Sequence, residues 1–168
     1  MMNGLQSVEH WRDYFDRPGP ALLGTLNAVY PVGKVLFLFP VSWLSDRYGR
    51  RVPMLAGLIC MTLFAILQTA SQNIAMFIVS RFLIGASTIL CAQPSPILIT
   101  ELAYPTHRGK LTALYNSSFF IGAIIAAWGT YGTFRLNSTW SWRIPSALQA
   151  ALPLLQLAFF WALPESPR

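Results

Sequence analysis

Five apolar runs constrain this chain more than anything else in it. Residues 21–44, 52–70, 74–102, 111–134 and 144–163 are mostly apolar. A helix needs about 20 such residues to cross a hydrocarbon core of roughly 30 Å, so each run is read as a membrane span. Between them lie only short links, which leaves no stretch for a separate soluble domain and makes consecutive helices antiparallel neighbours. Of the 168 residues, 54% are hydrophobic and 11% charged, against about 25% charged in an ordinary soluble domain. No run keeps the strict two-residue alternation of a membrane barrel. The reading is an all-α membrane protein, with a polar outer segment at 1–20, a helical bundle at 21–163 and an inner end at 164–168.

The formal charge of +6 does not point to nucleic acid, because the cations sit in short clusters between apolar runs. One side of the bundle carries Arg47, Arg50, Arg51, Arg108, Lys110 and Arg168, and the other carries Arg12, Arg17, Arg135 and Arg143. The excess of Lys and Arg in short loops marks the cytoplasmic side, which puts the N-terminus outside and the C-terminus inside. Residues 1–20 hold no apolar leader. Five spans with an outer polar N-terminus imply either a first helix that inserts as its own reverse anchor or an upstream helix absent from this chain.

Two cations interrupt the runs, Lys34 and Arg81. A charge at mid-membrane costs about 2.5–3.5 kcal/mol on insertion scales, so it usually faces a cavity or a partner. Lys34 shares a small and polar stripe with Gly24, Asn27 and Pro31. Two readings stand for it: a cation facing a wet cavity, or a side chain snorkelling along its stem to the interface. Arg81 heads a stripe with Gly85, Thr88 and Ala92, and none of the five runs offers a carboxylate at its depth. Either it marks the outer interface or its acid belongs to a segment outside this chain. Asn116 is read either as a ligand for a hydroxyl-rich molecule or as an interhelical hydrogen-bonding group. Ser118, Gly122, Ala126 and Gly129 give the same run a small-residue face. Pro94 and Pro96 are expected to break the third run near its inner end.

Asp46, Arg47, Arg50 and Arg51, then Glu101 with Arg108, then Glu165 with Arg168, place carboxylates and guanidiniums on one membrane face. These residues predict a salt-bridge network between helix ends, made of individually weak pairs and therefore suited to a latch. Cys60 and Cys91 lie inside apolar runs and give neither a disulfide framework nor a metal site. His10 and His107 stand in separate loops, and no nucleophile, phosphate-loop or metal motif accompanies them, so neither an enzyme nor a cofactor is expected.

The segment Asp46-Arg47-Tyr48-Gly49-Arg50-Arg51 resembles the loop between the second and third helices of the major facilitator superfamily. Arg81 to Gly85 and residues 96–109 resemble the fourth helix and following loop of its sugar porter family. Ser141-Trp142-Arg143-Ile144-Pro145 and residues 164–168 resemble the sixth helix and its end, and residues 2–6, 115–117 and 126–133 look most like fungal lactose, cellodextrin and hexose permeases. The resemblance implies that the five spans are helices two to six of an N-terminal six-helix half, without its first helix and the C-terminal half. The resemblance implies sugar transport by alternating access in a membrane such as the plasma membrane, with a mono- or disaccharide and a proton as partners. It implies that Arg81 pairs with a first-helix acid in proton coupling, and that Asn116 hydrogen-bonds the sugar. A truncated portion of this kind is not expected to transport alone; the alternative is a stand-alone regulatory or sugar-sensing subunit. The chain departs from the family pattern at Ser42, Ser87 and Ile89, where glycine is usual. Lys34 has no counterpart role, and Asn137 begins a glycosylation sequon on the outer loop.

Overall fold

The computed structural model describes residues 9–134 and 140–162. The helices are α1 (Glu9–Tyr14), α2 (Pro20–Tyr48), α3 (Arg51–Thr69), α4 (Ile74–Ala92), α5 (Pro94–Leu102), α6 (Arg108–Phe134) and α7 (Trp140–Phe159), followed by a 3₁₀ turn at Phe160–Ala162. Pro20, whose missing N–H is harmless at a helix start, opens α2. Gly49, at φ 86°, closes it in a conformation that only glycine adopts without strain, and the chain then turns straight into α3. Pro31 and Pro40 lie within α2 on its exposed side.

The third apolar run divides at its prolines, as expected: α4 ends at Ala92 and α5 opens on Pro94. Gln93 stays in the right-handed helical region and its N–H reaches the Ile89 carbonyl at 3.1 Å, so α4 passes into α5. Ser95 supplies a further donor to the Cys91 carbonyl at 2.6 Å. Among the described residues, four helical stretches are long and apolar enough to cross a membrane: Pro20–Tyr48, Arg51–Thr69, Ile74–Leu102 and Arg108–Thr133. The fifth run corresponds to α7, which starts earlier, at Trp140, and whose polar residues include Ser141, Arg143 and Gln149. It packs along α3 as the other helices pack on one another.

Helix α4 is the centre of the bundle, held between α2 and α3. Two glycines set its crossing with α2. A methyl group on Gly33 would stand 2.5 Å from the Phe82 carbonyl oxygen, and one on Gly85 would collide with the carbonyl of Tyr30. Each helix thus lends the other a bare backbone, the close approach that drives association where lipid supplies no hydrophobic force. On its other side α4 meets Gly57 of α3, where an added methyl would lie 3.1 Å from the Ser87 carbonyl oxygen and 2.7 Å from Cys91 Sγ. The departure from glycine at Ser87 therefore does not loosen this helix; Ser87 is buried, and its hydroxyl donates to the Leu83 carbonyl at 2.7 Å.

Helix α6 differs from the rest. It touches α7 and α5, and Phe119, Phe120, Ile124 and Trp128 remain exposed along it.

Candidate functional site

One end of the bundle is organised by Arg50. Ser45 and Asp46 occupy the last turn of α2, and the Gly49 turn swings Arg50 back over them. Arg50 Nη1 donates to Ser45 Oγ at 2.8 Å and to Asp46 Oδ1 at 3.2 Å, while Nη2 faces Glu101 Oε1 of α5 at 3.6 Å. The Arg50 side chain is only 9% exposed, whereas that of Asp46 is 65% exposed. A buried guanidinium needs this density of acceptors, and Arg can fork between two helices where Lys could not. The node ties the end of the α2–α3 hairpin to α5.

The other residues expected in a network are placed differently. Arg47 stacks over Trp43 and Tyr48, with ring centroids at 5.3 and 5.8 Å, and Arg51 lies 5.4 Å over Phe160. Arg108 does not take Glu101; its Nε donates to the Ala103 carbonyl at 3.3 Å, because residues 103–107 turn before α6 begins and leave Glu101 facing Arg50. Glu165 and Arg168 lie outside the described residues, as does Asn137.

Deeper in the bundle, the α2–α4 crossing carries the two mid-span cations. Tyr30 Oη and Thr88 Oγ1 are 3.4 Å apart, a long hydrogen bond that orients the ring. Lys34 Nζ rests 4.5 Å above that ring. Lys34 is the fifteenth of the 29 residues of α2. At 1.5 Å per residue it stands about 21 Å from either end, farther than a lysine stem reaches. Arg81 is buried on α4, with its guanidinium 5.6 Å from the centroid of Phe77. Asn116 is exposed on α6, away from both cations in sequence and on the least covered helix. Between α6 and α7 runs an apolar groove lined in part by Phe119, Gly122, Ala126, Leu148 and Leu152. Gly129 closes against Leu148, whereas Gly122 faces open space.

Two features escaped sequence reasoning. The segment read as polar contains α1, whose Trp11 is fully buried with Phe15 against Phe77 and Trp142. Trp11 and Phe77 meet edge to face at 5.8 Å, and the rings of Tyr14 and Trp142 lie tilted to each other at 5.4 Å. The only local signal was the four-residue spacing of Trp11 and Phe15. The second feature is Ser42, whose Oγ accepts from Gln93 Nε2 at 2.6 Å. The residue that departs from the family glycine thus ties α2 to α4 at its junction with α5.

A bundle of long apolar helices, with an ionic node at one end, has the architecture of an integral membrane protein. The chain belongs to the sugar (and other) transporter family, whose model matches residues 9–168. It is 30% identical over 152 residues to the MFS-type transporter criB of Aspergillus cristatus, covering 90% of this chain and 33% of that protein. It is 30% identical over 157 residues to the sugar transporter STL1 of Saccharomyces cerevisiae, covering 91% of this chain and 28% of that one. The fold is that of the proton:xylose symporter XylE bound to 6-bromo-6-deoxy-D-glucose, at a TM-score of 0.84 and 21% identity over 99% of this chain and 43% of that one. The chain spans about a third of the length of the curated relatives it matches.

Proposed function

We propose that these residues form the N-terminal portion of a sugar transporter that works by alternating access as a sugar/proton symporter. The observation that carries the reading is the family match across residues 9–168, supported by the sugar-handling relatives and by a fold shared with a proton:xylose symporter. In this reading the five long helical segments are helices two to six of a six-helix half, in the plasma membrane with the N-terminus outside. The excess of Lys and Arg near Arg50 supports that orientation. Substrate and proton sit near the midplane between two halves. Asn116 hydrogen-bonds a mono- or disaccharide, and its exposure on a barely covered helix supports a role completed by something outside this fold. Arg81 sets the proton-coupling carboxylate of a first helix, and the small residues along the α6–α7 groove give such a helix a surface for close packing. The node of Asp46, Arg50 and Glu101 latches the cytoplasmic side while the sugar site faces outward.

The chain contributes only part of the cavity, so proteoliposomes holding these 168 residues alone are expected to show no sugar uptake. Binding is the direct test. Tritiated glucose, cellobiose and glucuronate are offered to the chain in lipid nanodiscs, with and without Asn116→Ala. At least one sugar should bind and weaken about tenfold in the variant, as loss of a hydrogen bond to a charged or well-ordered partner does. Binding of none of the three refutes the reading, and binding unaffected by Asn116→Ala removes that residue from the site.

A further inference from the structure

We propose that Lys34 is the cation of a binding site for the carboxylate of a sugar acid, on the flank of α2 left uncovered by α4. The proposal rests on the sugar-transport reading and narrows its substrate class. Lys34 sits at the centre of α2, level with the Phe82 and Ala86 backbone that Gly33 touches. Its neighbours Pro31, Val35 and Leu38 are exposed, so this flank is open among the described residues. A snorkelling lysine would stand within a turn or two of the interface, and this one is about 21 Å from either end of its helix.

Among the described residues no carboxylate supplies the matching charge at that depth. Glu9, Asp13, Asp16, Asp46 and Glu101 all lie at or beyond helix ends. Asp46, the nearest along α2, is about 18 Å away by helical rise and is engaged with Arg50. The ammonium rests instead on the Tyr30 ring, which the contact with Thr88 holds in place. A cation parked on a π-face is weakly bound compared with one facing a carboxylate in a low dielectric, so an anionic ligand displaces it readily. The ring then presents a flat apolar face beside the ammonium. A pyranose with one carboxylate matches that pairing, with its C–H face on Tyr30 and its charge on Lys34. A neutral sugar leaves the charge unmatched, and a bare carboxylate leaves the ring unused.

Lys34 and Lys110 are the only lysines, which makes the site directly readable. Reductive methylation with ¹³C labels both side chains in the nanodisc-embedded chain, and Lys34→Arg assigns the Lys34 signal. Glucuronate, glucose and acetate are titrated at constant ionic strength. The expected result is a saturable shift of the Lys34 resonance with glucuronate, while Lys110 stays in place. Glucose and acetate should need at least tenfold higher concentration for the same shift. An unmoved Lys34, a parallel movement of Lys110, or an equal response to glucose or to acetate would each overturn the proposal. The acetate arm exposes a lysine that accepts any carboxylate, as a side chain of a complementary half would supply. Tritiated-sugar binding in the same discs separates the two levels: sugar bound without a Lys34 shift ends this inference alone, and no sugar bound ends the transport reading with it.

Discussion

The two ends of this bundle are closed by opposite chemistries. At the Trp11 end, aromatic rings from α1, α4 and α7 pack into a fully buried cluster. At the Arg50 end, a guanidinium holds two carboxylates and a serine hydroxyl, one of the carboxylates mostly in solvent. Aromatic burial is large and hardly responsive to salt. Surface ion pairs are individually weak and screened by salt. A helix bundle that has to open at one side while keeping its shape would place the second kind of closure where movement is needed.

Truncation at the aromatic end should break the comparison most severely. Trp11→Ala empties a fully buried position and should lower stability by about 3–5 kcal/mol, read as a drop in the melting temperature of the purified chain. A shift no larger than that of a surface variant would mean that α1 merely lies against the bundle. At the ionic end, Arg50→Ala leaves Glu101 and Ser45 without their donor and should cost about 1–3 kcal/mol. Its distinctive sign is loss of salt dependence: the wild type should weaken between low and high salt, and the variant should not. The smallest effect belongs to Asp46→Asn, below about 1 kcal/mol because that carboxylate is mostly solvated. Asp46→Asn matching Arg50→Ala in size would show the pair to be the seat of the closure, and Glu101 an accessory.

The departures from the family pattern at Ser42 and Ser87 teach a related lesson. From sequence alone each reads as a lost glycine. In the fold Ser87 is small enough to lie under Gly57, and Ser42 gains a hydrogen bond from Gln93. Gly85 and Gly33, by contrast, meet carbonyl oxygens directly, and no side chain can substitute there. Sequence shows where small residues recur. Whether a serine suffices depends on which atom of the facing helix stands opposite.

Much of this protein was legible in its residues. Hydropathy and length located the helices, because the lipid phase demands about 20 apolar residues and satisfied backbone groups in each span. Motif order pointed to the transporter family. Asp46 and Arg50, four residues apart across a glycine turn, also pair locally. Contacts between distant residues could not be read this way. Arg50 rather than Arg108 meets Glu101, Trp11 joins Trp142 through Phe15, and Tyr30 aligns with Thr88 to seat Lys34. Hydrophobic periodicity fixes a helix and its length but not its rotation or its crossing with another. Those were decided in three dimensions, where two bare glycine backbones let α2 and α4 approach and brought the remaining side chains into register.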